Sequence, residues 1–212
     1  MVAHRAGNCL AALAEAERLG ARVIEADVRL FRGRSEVRHL KTVGPLPLYW
    51  DRWQLASPFR PRLVLAELLR ATTGESELML DLKGSRRRLA ELVRAELAPY
   101  LGERPFTVCA RSWALLEPFA ELPVRRVASV GSARQLQALL RRFADRRVDG
   151  VSIHERLLDE RVVHDLRQVT DTVLTWPVNV PARARELVRL GVDGLISDSV
   201  ERIAPVTAAG RA

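Results

Sequence analysis

The sequence predicts an α/β protein with the architecture of a compact (β/α)8 TIM barrel. Eight short apolar runs, rich in Val, Leu and Ile, alternate with longer segments whose apolar residues recur at helical spacing. No Gly-rich phosphate loop follows the first run, whereas an open doubly wound sheet would normally have one there. We therefore expect a closed sheet of eight parallel strands, in one domain that spans residues 1–212.

The predicted elements follow one another in a regular order. The strands are expected at residues 2–3, 22–30, 78–82, 106–110, 124–130, 148–153, 172–176 and 195–196. The helices are expected at residues 8–20, 63–70, 85–101, 113–120, 133–143, 159–169 and 181–190, with a short final helix near residue 200. In the first helix, Asn8 is a suitable N-cap and Gly20 a suitable residue to end the helix.

Between the second strand and the second helix the pattern is less regular. Residues 36–39 are expected to form a short extended piece. Residues 40–61, which include four prolines and the tryptophans Trp50 and Trp53, are expected to form an irregular loop. Either tryptophan could cover the mouth of the barrel or line its pocket.

Composition narrows the classes of function. The net charge of +8 suits an anionic ligand, but the basic residues are spread through helical segments without interleaved aromatic residues, so we predict no nucleic-acid partner. Two cysteines, Cys9 and Cys109, are too few for a disulfide framework in a chain of 212 residues. No run of 18 apolar residues is present. We therefore expect a cytoplasmic protein.

Polar side chains are concentrated where the predicted strands end. In a TIM barrel the carboxyl ends of the strands carry the chemistry, so these residues are the candidates for a site. They are His4 and Arg5, Glu25 and Asp27, Asp81 and Lys83, Arg111 and Ser112, His154, Trp176 and Asn179, and Ser197 and Asp198, with His39 just beyond the second strand.

The Glu25-Ala26-Asp27 segment is the strongest local signal. Side chains at positions i and i+2 of a strand lie on one face, so the two carboxylates converge. Such a pair repels unless a cation lies between the carboxylates, and hard divalent cations take oxygen ligands of this kind. Asp81 on the next strand would supply a third carboxylate, and Lys83 lies on the same face as Asp81.

The order of these motifs resembles the glycerophosphodiester phosphodiesterase family. The resemblance covers nearly the whole chain, in order and with sensible spacing. It is carried by His4-Arg5, Asn8, Gly20-Ala21, Glu25-Ala26-Asp27, His39, Asp81-Leu82-Lys83, Gly150-Val151-Ser152-Ile153-His154, Trp176-Pro177-Val178-Asn179 and Gly191-Val192-Asp193-Gly194-Leu195-Ile196-Ser197-Asp198. Relative to the family, the insertion after strand two is short, and Asp81 stands where Glu is more frequent.

This resemblance implies a (β/α)8 barrel that hydrolyses small-molecule glycerophosphodiesters to glycerol phosphate and an alcohol, with one divalent cation, Mg²⁺ or Ca²⁺. It implies roles for eight residues: Glu25, Asp27 and Asp81 as metal ligands, His4 and His39 as the general acid–base pair, Arg5 and Lys83 as phosphate-binding cations, and Trp176 as an apolar wall of the pocket.

Two alternatives remain open at this point. The Asp81-x-Lys83 pair is also similar to the sphingomyelinase D-like phospholipases, which implies a lyase that forms a cyclic phosphate. A catalytically impaired barrel that binds phosphorylated ligands or anionic lipid is the other alternative. The Arg86-Arg87-Arg88 run could make a weak contact with an anionic membrane surface or simply form a solvated helix face. The oligomeric state is left open.

Overall fold

The computed structural model describes residues 1–42, 48–51, 54–57, 62–73 and 76–209. Its strands are β1 (Val2–Ala3), β2 (Val23–Phe31), β3 (Arg34–Val37), β4 (Lys41–Thr42), β5 (Tyr49–Asp51), β6 (Gln54–Ala56), β7 (Glu77–Lys83), β8 (Phe106–Ala110), β9 (Val124–Val130), β10 (Gly150–His154), β11 (Val173–Trp176) and β12 (Gly194–Ser197). Its α-helices are α1 (Leu10–Arg18), α2 (Leu65–Ala71), α3 (Arg87–Leu97), α4 (Ala133–Arg142), α5 (Glu160–Arg167), α6 (Pro181–Arg189) and α7 (Val200–Ala209).

Eight parallel strands close into a barrel, which confirms the predicted (β/α)8 fold. The strand order is β1-β12-β11-β10-β9-β8-β7-β2, and β1 also pairs with β2. The two-residue strand β1 completes the ring, since Val2 pairs with Val23 on one side and Ile196 on the other. Strand β3 lies outside the ring, antiparallel to β2.

Alternate residues of each strand serve two different cores. Leu78, Leu80 and Leu82 of β7 belong to the large apolar layer between the sheet and the helices. Met79, from the other face of β7, packs with Cys109 and three further residues in a small separate cluster. This period of two places Asp81 and Lys83 on the Met79 face, directed into the barrel and toward its carboxyl-terminal mouth.

The first helix begins later than the sequence pattern predicts. Residues Ala6–Asn8 form a 3-10 turn, and α1 starts at Leu10 with Cys9 in the N-cap position. The predicted N-cap role of Asn8 is therefore wrong, because its side chain is bonded elsewhere. Gly20 follows the helix with φ of 71°, as expected for the residue that ends it.

The segment after β3 is more ordered than the predicted irregular loop. Strands β4, β5 and β6 form a small antiparallel sheet of their own. Tyr49 stabilises this small sheet, because its side chain is buried against Phe31 of β2 with ring centroids 5.4 Å apart. Trp50 is exposed and lines the barrel mouth, whereas Trp53 lies outside the described residues.

The element that follows β8 also differs from its prediction. Trp113–Phe119 is a 3-10 helix with Pro118 inside it, rather than an α-helix. Pro118 has no N–H to donate, so a regular α-helical ladder could not continue through it. Within the described part of the chain, no helix has the length and apolar character needed to cross a membrane.

Candidate active site

A pocket of about 730 Å³ opens at the carboxyl ends of the barrel strands. It collects most of the polar residues that the sequence places at strand ends. The lining includes His4, Arg5, Glu25, Arg29, His39, Lys41, Trp50, Asp81, Lys83, Arg111, Ser129, Ser152, His154, Trp176 and Asp198. Its floor is formed by apolar residues of the inner cluster, among them Met79, Cys109 and Ile196.

Three carboxylates meet on the β2–β7 side of the pocket. Glu25, Asp27 and Asp81 each offer an oxygen within 4.8 Å of the others. The parallel register explains the meeting, since Asp27 is paired directly with Asp81 across β2 and β7. Asp27 is 0% exposed and Glu25 is 3% exposed, so these charges are held away from bulk water.

Lys83 lies between two of these carboxylates. Its Nζ is 2.7 Å from Asp27 Oδ1 and is also hydrogen-bonded to Asp81 Oδ2. Burial lowers the pKa of Lys83, but the charges of Asp81 and Asp27 outweigh burial and raise the pKa above its ordinary value. Lys83 is therefore a permanent cation that offsets part of the negative charge of the cluster.

Asn8 orients Asp27 from below. Asn8 Nδ2 donates to Asp27 Oδ2 at 2.7 Å, and the Asp27 backbone N–H donates to Asn8 Oδ1 at 2.8 Å. This contact needs the 3-10 turn to lie directly on β2. Gly7 permits it, because a Cβ at that position would stand 2.7 Å from the Cβ of Ala26.

The pKa values of the two β2 carboxylates are shifted in opposite directions. Burial, together with repulsion from Asp27, raises the pKa of Glu25 to about 8. Burial also acts to raise the pKa of Asp27, but the Lys83 charge and the hydrogen bonds from Lys83 and Asn8 outweigh it and lower this pKa. The neighbours of Asp27 therefore stabilise its charged form more than those of Glu25 do.

The cluster fits a hard divalent cation. Asp81 Oδ1 is buried and accepts no hydrogen bond from the described residues, and Asp27 Oδ1 contacts the Lys83 ammonium. An orphaned buried carboxylate oxygen such as Asp81 Oδ1 is costly unless a ligand satisfies it. Three carboxylates are an oxygen donor set that Mg²⁺ and Ca²⁺ accept.

His4 forms a pair with Asp198 at the point where β12 meets β1. His4 Nδ1 lies 2.7 Å from Asp198 Oδ1, and Asn179 Nδ2 donates to Asp198 Oδ2 at 3.1 Å. Burial lowers the pKa of His4, but the hydrogen bond with Asp198 and the nearby carboxylates raise it above its ordinary value. The same hydrogen bond lowers the pKa of Asp198 to about 2. Asp198 thus holds the ring of His4 and favours its protonated form.

Arg5 links the carboxylate cluster to the second histidine. Its backbone N–H donates to Glu25 Oε2 at 2.6 Å, which its left-handed conformation (φ of 57°) permits. Its Nη2 lies 2.8 Å from His39 Nε2. Because a guanidinium can only donate, His39 Nε2 accepts this hydrogen bond.

The side of the pocket across from the carboxylates carries Trp176. Its ring packs edge-to-face on His154, with centroids 4.9 Å apart. The guanidinium of Arg111 lies 5.0 Å from the centroid of the Trp176 ring. The wall that Trp176 was expected to form is therefore mixed, with an aromatic surface and a cation.

The structure brings together all eight residues that the sequence singled out, and four more. Asn8, Arg111, His154 and Asp198 lie in or under the same pocket without an assigned role at the level of sequence. The strand-end position was the available signal for Arg111, His154 and Asp198. For Asn8 the signal was misleading, since an Asn before a helix has the pattern of an N-cap.

The fold and this arrangement define a (β/α)8 barrel with a polar, carboxylate-bearing pocket at its catalytic face. No family model and no curated protein sequence matches the chain. Solved structures do match it over almost their full length. A phosphodiesterase from Oleispira antarctica, in complex with the product sn-glycerol-3-phosphate, superposes with a TM-score of 0.78 at 19% identity, over 98% of this chain and 96% of that chain.

Two further solved structures give the same result. A glycerophosphodiester phosphodiesterase from Thermotoga maritima matches with a TM-score of 0.74 at 19% identity, over 97% of each chain. One from Parabacteroides distasonis also has a TM-score of 0.74 at 19% identity, over 100% of this chain and 97% of that chain. The chain therefore has the fold of these phosphodiesterases, the family that its motifs resemble.

Proposed function

We propose that the chain is a metal-dependent glycerophosphodiester phosphodiesterase, which cleaves its substrate to glycerol phosphate and an alcohol. The observation that carries the proposal is the convergence of Glu25, Asp27 and Asp81 with His4 and His39 in one pocket. The fold shared with phosphodiesterases, one of them holding sn-glycerol-3-phosphate, supports it. In this proposal the three carboxylates hold one divalent cation, Mg²⁺ or Ca²⁺.

The cation, when bound, supplies Lewis-acid stabilisation of the charge that develops on the phosphoryl oxygens. Arg5 and Lys83 are the phosphate-binding cations, and the carboxylates that Lys83 now contacts keep it at the same edge of the pocket. Trp176 forms part of the wall against which the substrate lies.

The surroundings of the two histidines support different roles for them. His39 Nε2 accepts a hydrogen bond from Arg5. In this proposal Arg5 turns to the bound phosphate, and the Nε2 lone pair is then free to take a proton from the attacking hydroxyl. His4 is held by Asp198 and favours its protonated form, so it is suited to give a proton to the leaving alkoxide. We therefore assign His39 as the general base and His4 as the general acid.

The test is release of alcohol from a panel of glycerophosphodiesters, with and without chelator. We expect turnover that chelator abolishes, and a loss of at least about 10³-fold in Glu25→Gln and Asp27→Asn, since each substitution removes a ligand charge. Asp171→Asn is the matched control, because Asp171 lies before β11 and pairs with Arg147 outside the pocket. Turnover near that of the wild type in either β2 variant would contradict the proposal.

The same samples separate the alternatives. Phosphorus NMR distinguishes glycerol phosphate from the cyclic phosphate that a sphingomyelinase D-like lyase would leave. Calorimetry with Mg²⁺ and Ca²⁺ tests for an impaired barrel, which would show no saturable metal uptake. The cytoplasmic location and the membrane-surface contact stay predictions.

A further inference from the structure

Arg111 is a pocket cation that has no counter-ion among the described residues. It follows β8 directly, and its side chain lines the pocket. Within the described part of the chain, no carboxylate forms an ion pair with the Arg111 guanidinium. The guanidinium makes a cation–π contact with the Trp176 ring. By contrast, Lys83 on the neighbouring strand is paired with Asp27 and Asp81. Arg111 therefore keeps its full charge available to a ligand.

The position of the Arg111 guanidinium is set by its neighbours. It lies against the backbone of Gly131, where a Cβ would stand 3.0 Å from Nη2 and 3.1 Å from Cζ. Its other contact is the Trp176 ring, with 5.0 Å from Cζ to the ring centroid. Contacts with a glycine backbone and an indole ring restrain the guanidinium at the pocket wall.

This contact changes what the Trp176 ring can bind. An indole face is the usual docking surface for a quaternary ammonium group. Here the guanidinium of Arg111 already lies on the ring. A cationic alcohol placed there could not contact the face of the ring and would be repelled by the guanidinium. An anionic alcohol would instead accept hydrogen bonds from the guanidinium.

His154 provides a second donor beside Trp176. The backbone N–H of Arg156 donates to His154 Nδ1 at 3.2 Å, which leaves the ring proton on Nε2 when the ring is neutral. The His154 side chain lines the same pocket. Arg111 and His154 thus both offer N–H groups next to the Trp176 ring.

The guanidinium of Arg111 reaches from β8 to Trp176, on the far side of the mouth from the carboxylates. In the eight-stranded ring, β10 and β11, which carry His154 and Trp176, stand three or four positions away from β2 and β7. A phosphodiester held at the carboxylate cluster has one substituent on each side of its phosphorus. A pocket of about 730 Å³ has room for one of them to reach the far wall.

From this juxtaposition, and resting on the proposed function, we infer that Arg111 determines specificity by selecting glycerophosphodiesters whose alcohol carries a carboxylate or a second phosphate. Guanidinium groups bind either anion through paired N–H donors. Diesters of quaternary ammonium alcohols are correspondingly poor substrates.

Three synthetic glycerophosphodiesters whose alcohols differ in charge test the inference: those of 3-hydroxypropionate (anionic), 1-propanol (neutral) and choline (cationic). For the wild type we expect kcat/KM to fall in that order. In Arg111→Gln the anionic-to-neutral ratio of kcat/KM should drop about tenfold, which corresponds to about 1.4 kcal/mol, and the cationic-to-neutral ratio should rise. Arg111→Lys keeps the charge but not the planar contact, so it should retain part of the preference.

Arg156→Gln is the matched control. Arg156 is also adjacent to His154, but its side chain is 84% exposed and lies outside the pocket lining. Its removal should leave both ratios unchanged. Unchanged ratios in Arg111→Gln, or an equal loss for all three diesters, would overturn the inference. The second result would assign Arg111 to the scissile phosphate instead.

Calorimetric binding of the three diesters in chelator separates this inference from the proposed function. Tighter binding of the anionic diester that Arg111→Gln abolishes supports the role of Arg111, even where no diester is hydrolysed with metal present. Hydrolysis of all three diesters, with equal binding in the wild type and in Arg111→Gln, would refute the role of Arg111 and leave the phosphodiesterase activity intact.

Discussion

Asn8 and Asn179 allow a paired test of how burial sets the strength of a carboxylate–amide contact. Asn8 makes two hydrogen bonds to Asp27, one to the carboxylate and one from the backbone N–H. Asn179 does the same for Asp198, at 3.1 and 3.0 Å. The two sites differ in exposure, since the side chain of Asp27 is 0% exposed and that of Asp198 is 47% exposed.

We expect Asn8→Ala to be more destabilising than Asn179→Ala. At Asp27 the substitution removes a hydrogen bond to an ionised group and leaves a buried N–H unsatisfied, which together cost about 2–4 kcal/mol. At Asp198 water can replace both bonds. Asn179→Ala also removes the acceptor of the Ser197 hydroxyl, so the total cost is about 1–2 kcal/mol. The free energy of unfolding should therefore fall in both variants, with the larger fall in Asn8→Ala.

Urea unfolding in the presence of chelator measures the difference, because bound metal would add its own stabilisation to each variant. With an m-value of about 2–3 kcal/mol/M, the midpoint should fall by roughly 1 M in Asn8→Ala and by about half of that in Asn179→Ala. Equal losses in the two variants, or a larger loss in Asn179→Ala, would refute the reasoning from burial.

Two other predictions concern the charged pairs of the pocket. In Asp198→Asn, burial is no longer opposed by the hydrogen-bonded carboxylate, so the pKa of His4 should fall from above its ordinary value of 6.5 to below it, as NMR titration of the ring would show. In the wild type, the stabilisation from protonated His4 is complete below pH 6.5 and is lost as the pH rises through the raised pKa of His4. The stabilisation from ionised Asp198 is present above pH 3.8 and is lost as the pH falls through the Asp198 pKa of about 2. An unchanged His4 titration in Asp198→Asn would contradict this assignment. In the absence of metal, Lys83→Met should lower the free energy of unfolding by about 3 kcal/mol, because it leaves Asp27 and Asp81 without the Lys83 ammonium. In parallel thermal melts, saturating Mg²⁺ should stabilise this variant more than the wild type. Equal stabilisation of the two proteins would contradict the prediction that Lys83 and the metal ion contact the same carboxylates.

The strands and much of the site could be predicted because both depend on the alternation of residues along a strand and on the pairing of strands that follow one another in the barrel. The period of two places Glu25 and Asp27 on one face, and parallel pairing of β2 with β7 brings Asp81 opposite Asp27. Even the two-residue strand β1 was predicted at its observed bounds, since its apolar pair leads directly to the polar His4.

Contacts between distant parts of the chain could not be predicted in this way. His4 and Asp198 are 194 residues apart, and they meet because closure of the ring places β1 beside β12. Neither residue carries a local sign of its partner. The sequence pattern marked both as strand ends, but the pairing is a property of the closed barrel.

The misassignment of Asn8 shows a second limit, which comes from backbone packing. An N-cap Asn and an Asn that orients a carboxylate have the same neighbours in sequence, and they differ in what lies beside the turn. Here Gly7 lies so close to β2 that a Cβ would overlap Ala26, and this approach carries the Asn8 amide to Asp27. The small residues Gly7 and Ala26 therefore affect the carboxylate cluster through the path of the backbone. A substitution that separated the turn from β2 would misplace Asp27 without changing any of the polar residues that mark the site.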